Sequence, residues 1–254
     1  MRANDPTDPA SYHGPDSRSV QRMFAEIAPR YDFLNHFLSA SIDKRWRKAA
    51  VAKVNELLPS ASTLALDVCS GTGDLAIELH RGLKLPVVAS DFCHPMLVRA
   101  YAKVHSNGLS GSIRNIEADA HQLPYPDARF DSVTNAFGLR NLENPALGLA
   151  EFLRVLRPGG VLVILEFSKP AAPLLREAFS FYFNRILPRI GALVSGQSTA
   201  YTYLPTSVQK FPSQPALADL ISSVGFASVG YRNLTGGIAA LHWGVRPVTP
   251  VRIP

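Results

Sequence analysis

Residues 65–74 read ALDVCSGTGD. The apolar run has the length and composition of a buried strand, and the glycines that close it open a helical pattern, so the stretch reads as the first turn of a βα unit. Gly71-Thr72-Gly73-Asp74-Leu75-Ala76 satisfies the G-x-G-x-x-[G/A] spacing of a dinucleotide-binding turn, and Asp91 closes the next strand. Two acids argue against a diphosphate at this turn. Asp67 stands where the strand ends, and Asp74 stands at the start of the helix, whose free N–H groups would otherwise receive phosphate. Carboxylates around the turn repel a diphosphate but suit a ligand that carries an ammonium and a sulfonium, as S-adenosylmethionine does. On that reading Gly71 and Gly73 let the backbone approach the methionine and ribose, and Asp91 accepts from both ribose hydroxyls. Asp119, after the third strand, accepts from the adenine amino group. Each residue also has a plainer role: a tight turn for the glycines, a helix cap for Asp74, a solvent-facing strand end for Asp91, a loop former before Pro124 for Asp119. The four acids together favour the ligand, because they converge on the C-terminal edge of one sheet.

Outward from this turn, short apolar strands alternate with helical patterns: TLALDV, a helix from Asp74, PVVASD, a helix from His94, SIRNIEAD, RFDSVTNAF, a helix from Pro145, and GVLVILEF. The alternation predicts a doubly wound α/β fold, a Rossmann-like, mostly parallel sheet with helices on both faces. FASVGYRNLTGGIAALHWGV predicts two further strands joined at Thr235-Gly236-Gly237 as an antiparallel C-terminal hairpin. Before the core, residues 17–58 have apolar residues at helical spacing, Val20, Met23, Phe24 and Ile27 and then Phe33, Leu34, Phe37 and Leu38, broken at Pro29 and ended before Pro59. This is a helical N-terminal cap on a domain spanning residues 59–245. Residues 1–16, with three Pro and three Asp, are expected to be a disordered tail, and residues 246–254 form a second tail. Residues 170–211 form an aromatic, helix-prone insert that carries Tyr201 and Tyr203.

The bulk numbers fit one substantial core: 254 residues, 46% hydrophobic. No uninterrupted apolar run is long enough to span a bilayer, and the N-terminus has no signal-peptide core, so a cytoplasmic location is expected. Cys69 and Cys93 have no CxxC partner and the histidines no HxxxH or HExxH spacing, so reduced thiols and no structural metal are expected. The formal net charge is +6, and Ser17–Lys53 carries eight Lys or Arg against three Asp or Glu. Such a segment attracts anionic surfaces, whether nucleic acid or lipid headgroups.

Beyond the general turn, the chain holds YDFLNHFLS, NAFGLRN, LEFSKP, LPRIG, YTYLP and NLTGGIAALHWG. With ADAHQLPYPDARFD and RVLRPGG, these resemble the C-methyltransferases of menaquinone and ubiquinone biosynthesis, class I enzymes that use S-adenosylmethionine. The resemblance runs from about Ser19 to Val245. It implies methylation of a prenylated quinol ring, demethylmenaquinol first and the ubiquinol precursor second, on a class I methyltransferase fold. It also implies cofactor contacts at Thr72, Asp91 and the Asp119-Ala120 pair. Three positions depart from the family: Ala136 where some members have a cofactor-contacting serine, Ser41 where a glycine is common, and Gln197–Thr199 where some relatives are acidic. A small-molecule C- or O-methyltransferase of secondary metabolism shares the general turn and is the stronger rival among enzymes.

Methylating a ring carbon requires that carbon to be nucleophilic, so the ring must be reduced and one hydroxyl wholly or partly deprotonated. Arg140, in the loop after strand four, is the candidate for stabilising the phenolate; its plainer role is a salt bridge to Glu143 or Glu166. Asn135 and Asn141 are candidates for orienting hydrogen bonds, and Tyr201 and Tyr203 for ring contact or packing. The aromatic insert offers an apolar entrance for an isoprenoid tail, and the basic N-terminal helices would hold that entrance against an anionic membrane surface on the inner face of the cytoplasmic membrane. Nucleic acid is not expected as a partner. Adenine-amino methyltransferases place a proline platform after strand four, whereas this chain has Asn135-Ala136-Phe137-Gly138 there. A methyltransferase fold turned assembly protein is disfavoured because the cofactor acids are present.

Overall fold

The computed structural model describes residues 12–32, 41–170, 177 and 199–248, with the side chains of Arg30 and residues 199–202 outside that description. Expectations for residues 1–11, for Phe33 to Leu38, for most of the 170–211 insert and for the last residues of the C-terminal tail therefore fall outside the described residues, as does the side chain of Tyr201.

Helix α1 spans Ser17–Ile27, started by Asp16, whose carboxylate accepts from the Ser19 N–H at 2.8 Å. A 3-10 turn containing Pro29 follows, since proline cannot donate to an α-helical ladder. Then come α2 (Ile42–Leu57), β1 (Ala65–Val68), α3 (Asp74–Leu83), β2 (Val87–Asp91), α4 (His94–Ser106), β3 (Ile113–Glu117), β4 (Phe130–Ala136), α5 (Pro145–Val155), β5 (Leu156–Phe167), α6 (Thr199–Lys210), α7 (Gln214–Val224), β6 (Ala227–Leu234) and β7 (Ala239–Val245). The seven strands form one sheet in the order β3-β2-β1-β4-β5-β7-β6, with β7 antiparallel to β5 and to β6. β1, with both faces covered, is buried throughout, whereas the edge strands β3 and β6 are largely solvated. The doubly wound fold and the antiparallel pair at Thr235–Gly237 match expectation.

Two apolar clusters cover the two faces. Leu66, Val68, Phe130 and Phe152 pack with Leu217, Leu220 and Ile221 of α7 on one side. Trp46, Val51 and Val54 of α2 pack with Leu75 and Leu79 of α3 on the other. Two departures from the sequence reading follow from this packing. First, α2 belongs to a layer of the α/β core, where the Trp46 indole N–H also donates to Thr235 Oγ at 2.9 Å, so residue 58 separates no packed units. Second, residues 12–16 are docked and not a free tail: Tyr12 packs edge-on against Phe211, its hydroxyl donates to the Arg140 carbonyl at 3.1 Å, and the Gly14 N–H donates to the Glu143 carbonyl at 2.9 Å. Helix α7, opened by Pro215 and closed by Gly225 at φ +116°, is not among the elements the strand-helix alternation predicts, although Leu217, Leu220 and Ile221 have the spacing of one helical face.

Candidate functional site

The sheet is wound outward from β1 in one direction to β3 and then in the other from β4, so the winding order switches between β1 and β4, which lie side by side and parallel. Their C-terminal ends carry the glycine turn and the loop of residues 137–141, and the crevice between such ends is where open α/β sheets bind ligands. Gly71 and Gly73 take φ of +55° and +83°, and Cys69 and Phe137 also sit in the left-handed region. The turn therefore requires glycine for its backbone conformation, while a Cβ at Gly73 would make only ordinary contact with Ala100 of α4.

The acids lie where expected, and each has distinct surroundings. Asp91 accepts from the Gly71 N–H and the Cys93 N–H, both at 2.8 Å, so it splints the glycine turn to the end of β2, and burial raises its pKa to about 6. Asp67 is 1% exposed. One of its oxygens accepts from Thr134 Oγ at 2.8 Å, while the other is buried with no hydrogen-bond partner. Burial is the main cause that lifts Asp67 to about 7, offset in part by Thr134. Asp74, first residue of α3, pairs with Lys103 at 2.6 Å and with Arg47 at 3.3 Å. Asp119 is exposed and holds the N–H and ring of His121 at 2.9 and 2.8 Å.

These groups surround two hollows that meet at Gly71. The larger, ≈ 620 Å³, runs from Phe92, Met96, Asp119, Ala120 and His121 to Phe137, Gly138 and Asn141. The smaller, ≈ 360 Å³, is lined by Tyr31, Arg47, Asp67, Thr72 and Asp74. The long, mostly apolar cleft therefore has a carboxylate-rich inner end, and the unpartnered Asp67 oxygen fits a ligand that carries positive charge. Thr72 is buried here, but its hydroxyl already donates to Asp32 at 2.5 Å and accepts from Lys103 at 3.1 Å, which leaves its backbone as the ligand-facing part.

In the loop after β4, Arg140 realises the salt-bridge role and lines neither hollow: its Nη1 lies 2.6 Å from Glu166 and donates to the Phe137 carbonyl at 2.7 Å. Its Nε–H is buried without a hydrogen-bond partner. Asn141 lines the larger hollow, donates to the Phe137 carbonyl at 3.1 Å and accepts from the Tyr203 hydroxyl at 2.7 Å. Burial pushes the Tyr12 and Tyr203 phenols up to about 12, so both remain donors at neutral pH. Asn135 is not brought to either hollow. It is fully buried, and its amide donates to the Val68 carbonyl at 2.8 Å and ties β4 to β1, because its side chain points into the sheet interior one residue before the strand opens. Among residues the sequence reading missed, Arg47 counts in the sequence only as one of the cations of the basic segment Ser17–Lys53, yet it is buried and bonded to Asp43 at 2.5 Å. Lys53 is likewise buried, its ammonium 4.3 Å above the Trp243 ring. Only the packing of α2 gives these positions away. No cluster of three metal-ligating side chains occurs among the described residues.

Comparison with known proteins agrees with this geometry. Residues 13–246 match the family model of the ubiE/COQ5 methyltransferase family. The chain is 52% identical to the demethylmenaquinone methyltransferase of Deinococcus radiodurans, over 89% of this chain and 92% of that one. It is 48% identical to the demethylmenaquinone methyltransferase of Thermus thermophilus, over 89% and 100%, and 46% identical to the ubiquinone/menaquinone biosynthesis C-methyltransferase UbiE of Geobacter sulfurreducens, over 89% and 87%. Among solved structures, the [4+2]-cyclase SpnF superposes with a TM-score of 0.69 at 19% identity, covering 93% of this chain and 99% of that one. A phosphoethanolamine N-methyltransferase from Haemonchus contortus, in complex with S-adenosyl-L-methionine, gives 0.59 at 14% identity, over 78% and 52%. Those two likenesses establish the fold, which by itself does not decide the chemistry.

Proposed function

Because the chain belongs to the ubiE/COQ5 methyltransferase family, we propose that it methylates a ring carbon of a prenylated quinol with S-adenosylmethionine, demethylmenaquinol being the first substrate and the ubiquinol precursor the second. The observation that carries the reading is the buried Arg140 guanidinium, locked by Glu166 and left with one unpaired N–H, in the loop whose next residue, Asn141, lines the larger hollow. When bound, the cofactor supplies an electrophilic methyl group. The chain's own part is to place and hold charge. Asp91, Gly71, Asp119 and Ala120 bind the nucleoside end, and Asp67 faces the positive groups of the methionine end. Arg140 favours loss of the ring hydroxyl proton, because a fixed cation in a dry site stabilises the phenolate that forms. The phenolate electrons would then push through the ring to the ortho carbon, whose bond to the methyl would form as the methyl's bond to sulfur breaks and leaves the neutral thioether, and the hydrogen on that carbon would pass to solvent as a proton, restoring the aromatic ring. Asn141, fixed by Tyr203, orients the ring so that carbon and methyl approach within about 3 to 3.5 Å.

Five cations of the N-terminal region are exposed among the described side chains, Arg18, Arg22, Lys44, Arg45 and Lys48, and they support peripheral attachment to an anionic membrane, where such a substrate resides. The direct test incubates the protein with reduced demethylmenaquinone or with the ubiquinol precursor and follows methyl transfer by mass spectrometry. Product with the reduced ring and none with reductant excluded is expected. Equal rates in both conditions would rule out the phenolate route, and no product from either ring would rule out the substrate class.

A further inference from the structure

We propose that Arg47 is the anchor for the α-carboxylate at the methionine end of the cofactor. The inference rests on the cofactor reading above and adds a residue and a recognition element to it. A methionine moiety brings one ammonium and one carboxylate into the cleft, and each needs a partner once water is excluded. The buried, unpartnered Asp67 oxygen answers the ammonium. For the carboxylate, the described residues lining the two hollows include a single Lys or Arg, and it is Arg47, on the wall of the smaller hollow with Asp67.

Arg47 is built for the task. Its Nη1 is bonded to Asp43 at 2.5 Å, one helical turn back, and its Nη2 lies 3.3 Å from Asp74 at the start of α3. Two of its five N–H directions are thus used to fix the plane of the guanidinium, and the planar fork retains donors of the geometry a carboxylate accepts. Lys103, the other cation of this cluster, is held 2.6 Å from both Asp32 and Asp74 and lines neither hollow. The carboxylates around Arg47 do not forbid a further anion. With Asp67 paired to the ammonium, the bound methionine is a zwitterion laid between one acid and one base.

The test uses two ligands that differ in this end alone. S-adenosylhomocysteine carries the amino-acid moiety, and 5′-methylthioadenosine lacks it. Arg47→Met keeps much of the apolar volume and removes the fork. By calorimetry this variant should bind S-adenosylhomocysteine roughly 10- to 100-fold more weakly, the worth of a charge-assisted hydrogen bond, and bind 5′-methylthioadenosine as the unaltered protein does. Equal weakening of both ligands would make Arg47 a purely structural member of the cluster and overturn the inference, as would full retention of S-adenosylhomocysteine affinity. Should Arg47→Met fail to fold, Arg47→Lys, which keeps the charge without the fork, is expected to show the same selective loss at smaller size, and unchanged selectivity overturns the inference equally. Failure of the unaltered protein to bind S-adenosylhomocysteine would instead remove the cofactor reading itself.

Discussion

Asp67 has a folded-state pKa of about 7, well above the value near 3.9 of an unfolded chain. An acid shifted upward favours folding below its unfolded pKa and loses that advantage as pH rises through its folded pKa, so Asp67 and Asp91 together should make the ligand-free protein less stable between about pH 4 and pH 7. A positively charged ligand favours the carboxylate, so binding should expel a proton and affinity should climb from pH 5 to about 7 and then level off. Calorimetry at pH 6 in buffers of different ionisation heat reads that proton directly; an affinity indifferent to pH, or a slope that survives Asp67→Asn, would place the proton elsewhere. Asp91→Ala should weaken S-adenosylhomocysteine binding by about 1.5 to 3 kcal/mol, and unchanged affinity in a folded variant would remove Asp91 from the ribose. Arg140→Lys keeps the ion pair with Glu166 but not the fork, and should lower kcat by roughly 100-fold while cofactor affinity holds; an equal loss of cofactor affinity would mean that the loop, not the donor, was altered. These acids were legible in the sequence because each stands beside a strand end or a turn glycine. Arg47 was not, since a basic residue in an amphipathic helix looks the same whether its neighbours are water or Asp43 and Asp74. Nor could the sequence separate Asn135 from Asn141: the two differ in whether β4 has ended.

At the scale of elements, the segment before α1 holds the rim. A side chain at Gly14 would bring its Cβ within 2.0 Å of the Leu142 carbonyl oxygen, so backbone must touch backbone here. Gly14→Ala should release residues 12–16 from the 140–143 loop, seen as faster proteolysis ahead of Ser17, whereas unchanged protection would mean the contact is dispensable. Composition hid this docking: the prolines and aspartates of residues 1–16 signal disorder, and the partners, Arg140 and Glu143, lie far along the chain. The βα units, by contrast, declare themselves locally, because a strand of four or five apolar residues and the helix after it carry their own caps and turns, as at Gly73 and Asn144. α7 carries equally local signals in Ser213-Gln214-Pro215 and Gly225, but it follows the aromatic insert with no strand before it, outside the strand-then-helix alternation that marks the βα units.

For the whole molecule, the +6 charge is not spread as the count suggests, since Arg47 and Lys53 are internal. Attachment to anionic vesicles should therefore follow the five exposed N-terminal cations and fall as added salt shortens the screening length from about 10 Å at 0.1 M toward 3 Å at 1 M. Sedimentation across that range is the check, and adhesion that ignores salt would assign the contact to apolar residues instead. The sheet order has a consequence of another kind. β7 is the last of the described strands yet is threaded between β5 and β6, so β5 lacks one of its two neighbours until residues 239–245 have been made. During synthesis the nascent chain must carry β5, its centre wholly buried in the finished protein, with one open hydrogen-bonding edge, the kind of template that invites pairing with other chains. Closure of the sheet is thereby tied to the synthesis of residues 239–245, and the protein's yield in a cell should depend on how well that waiting edge is chaperoned.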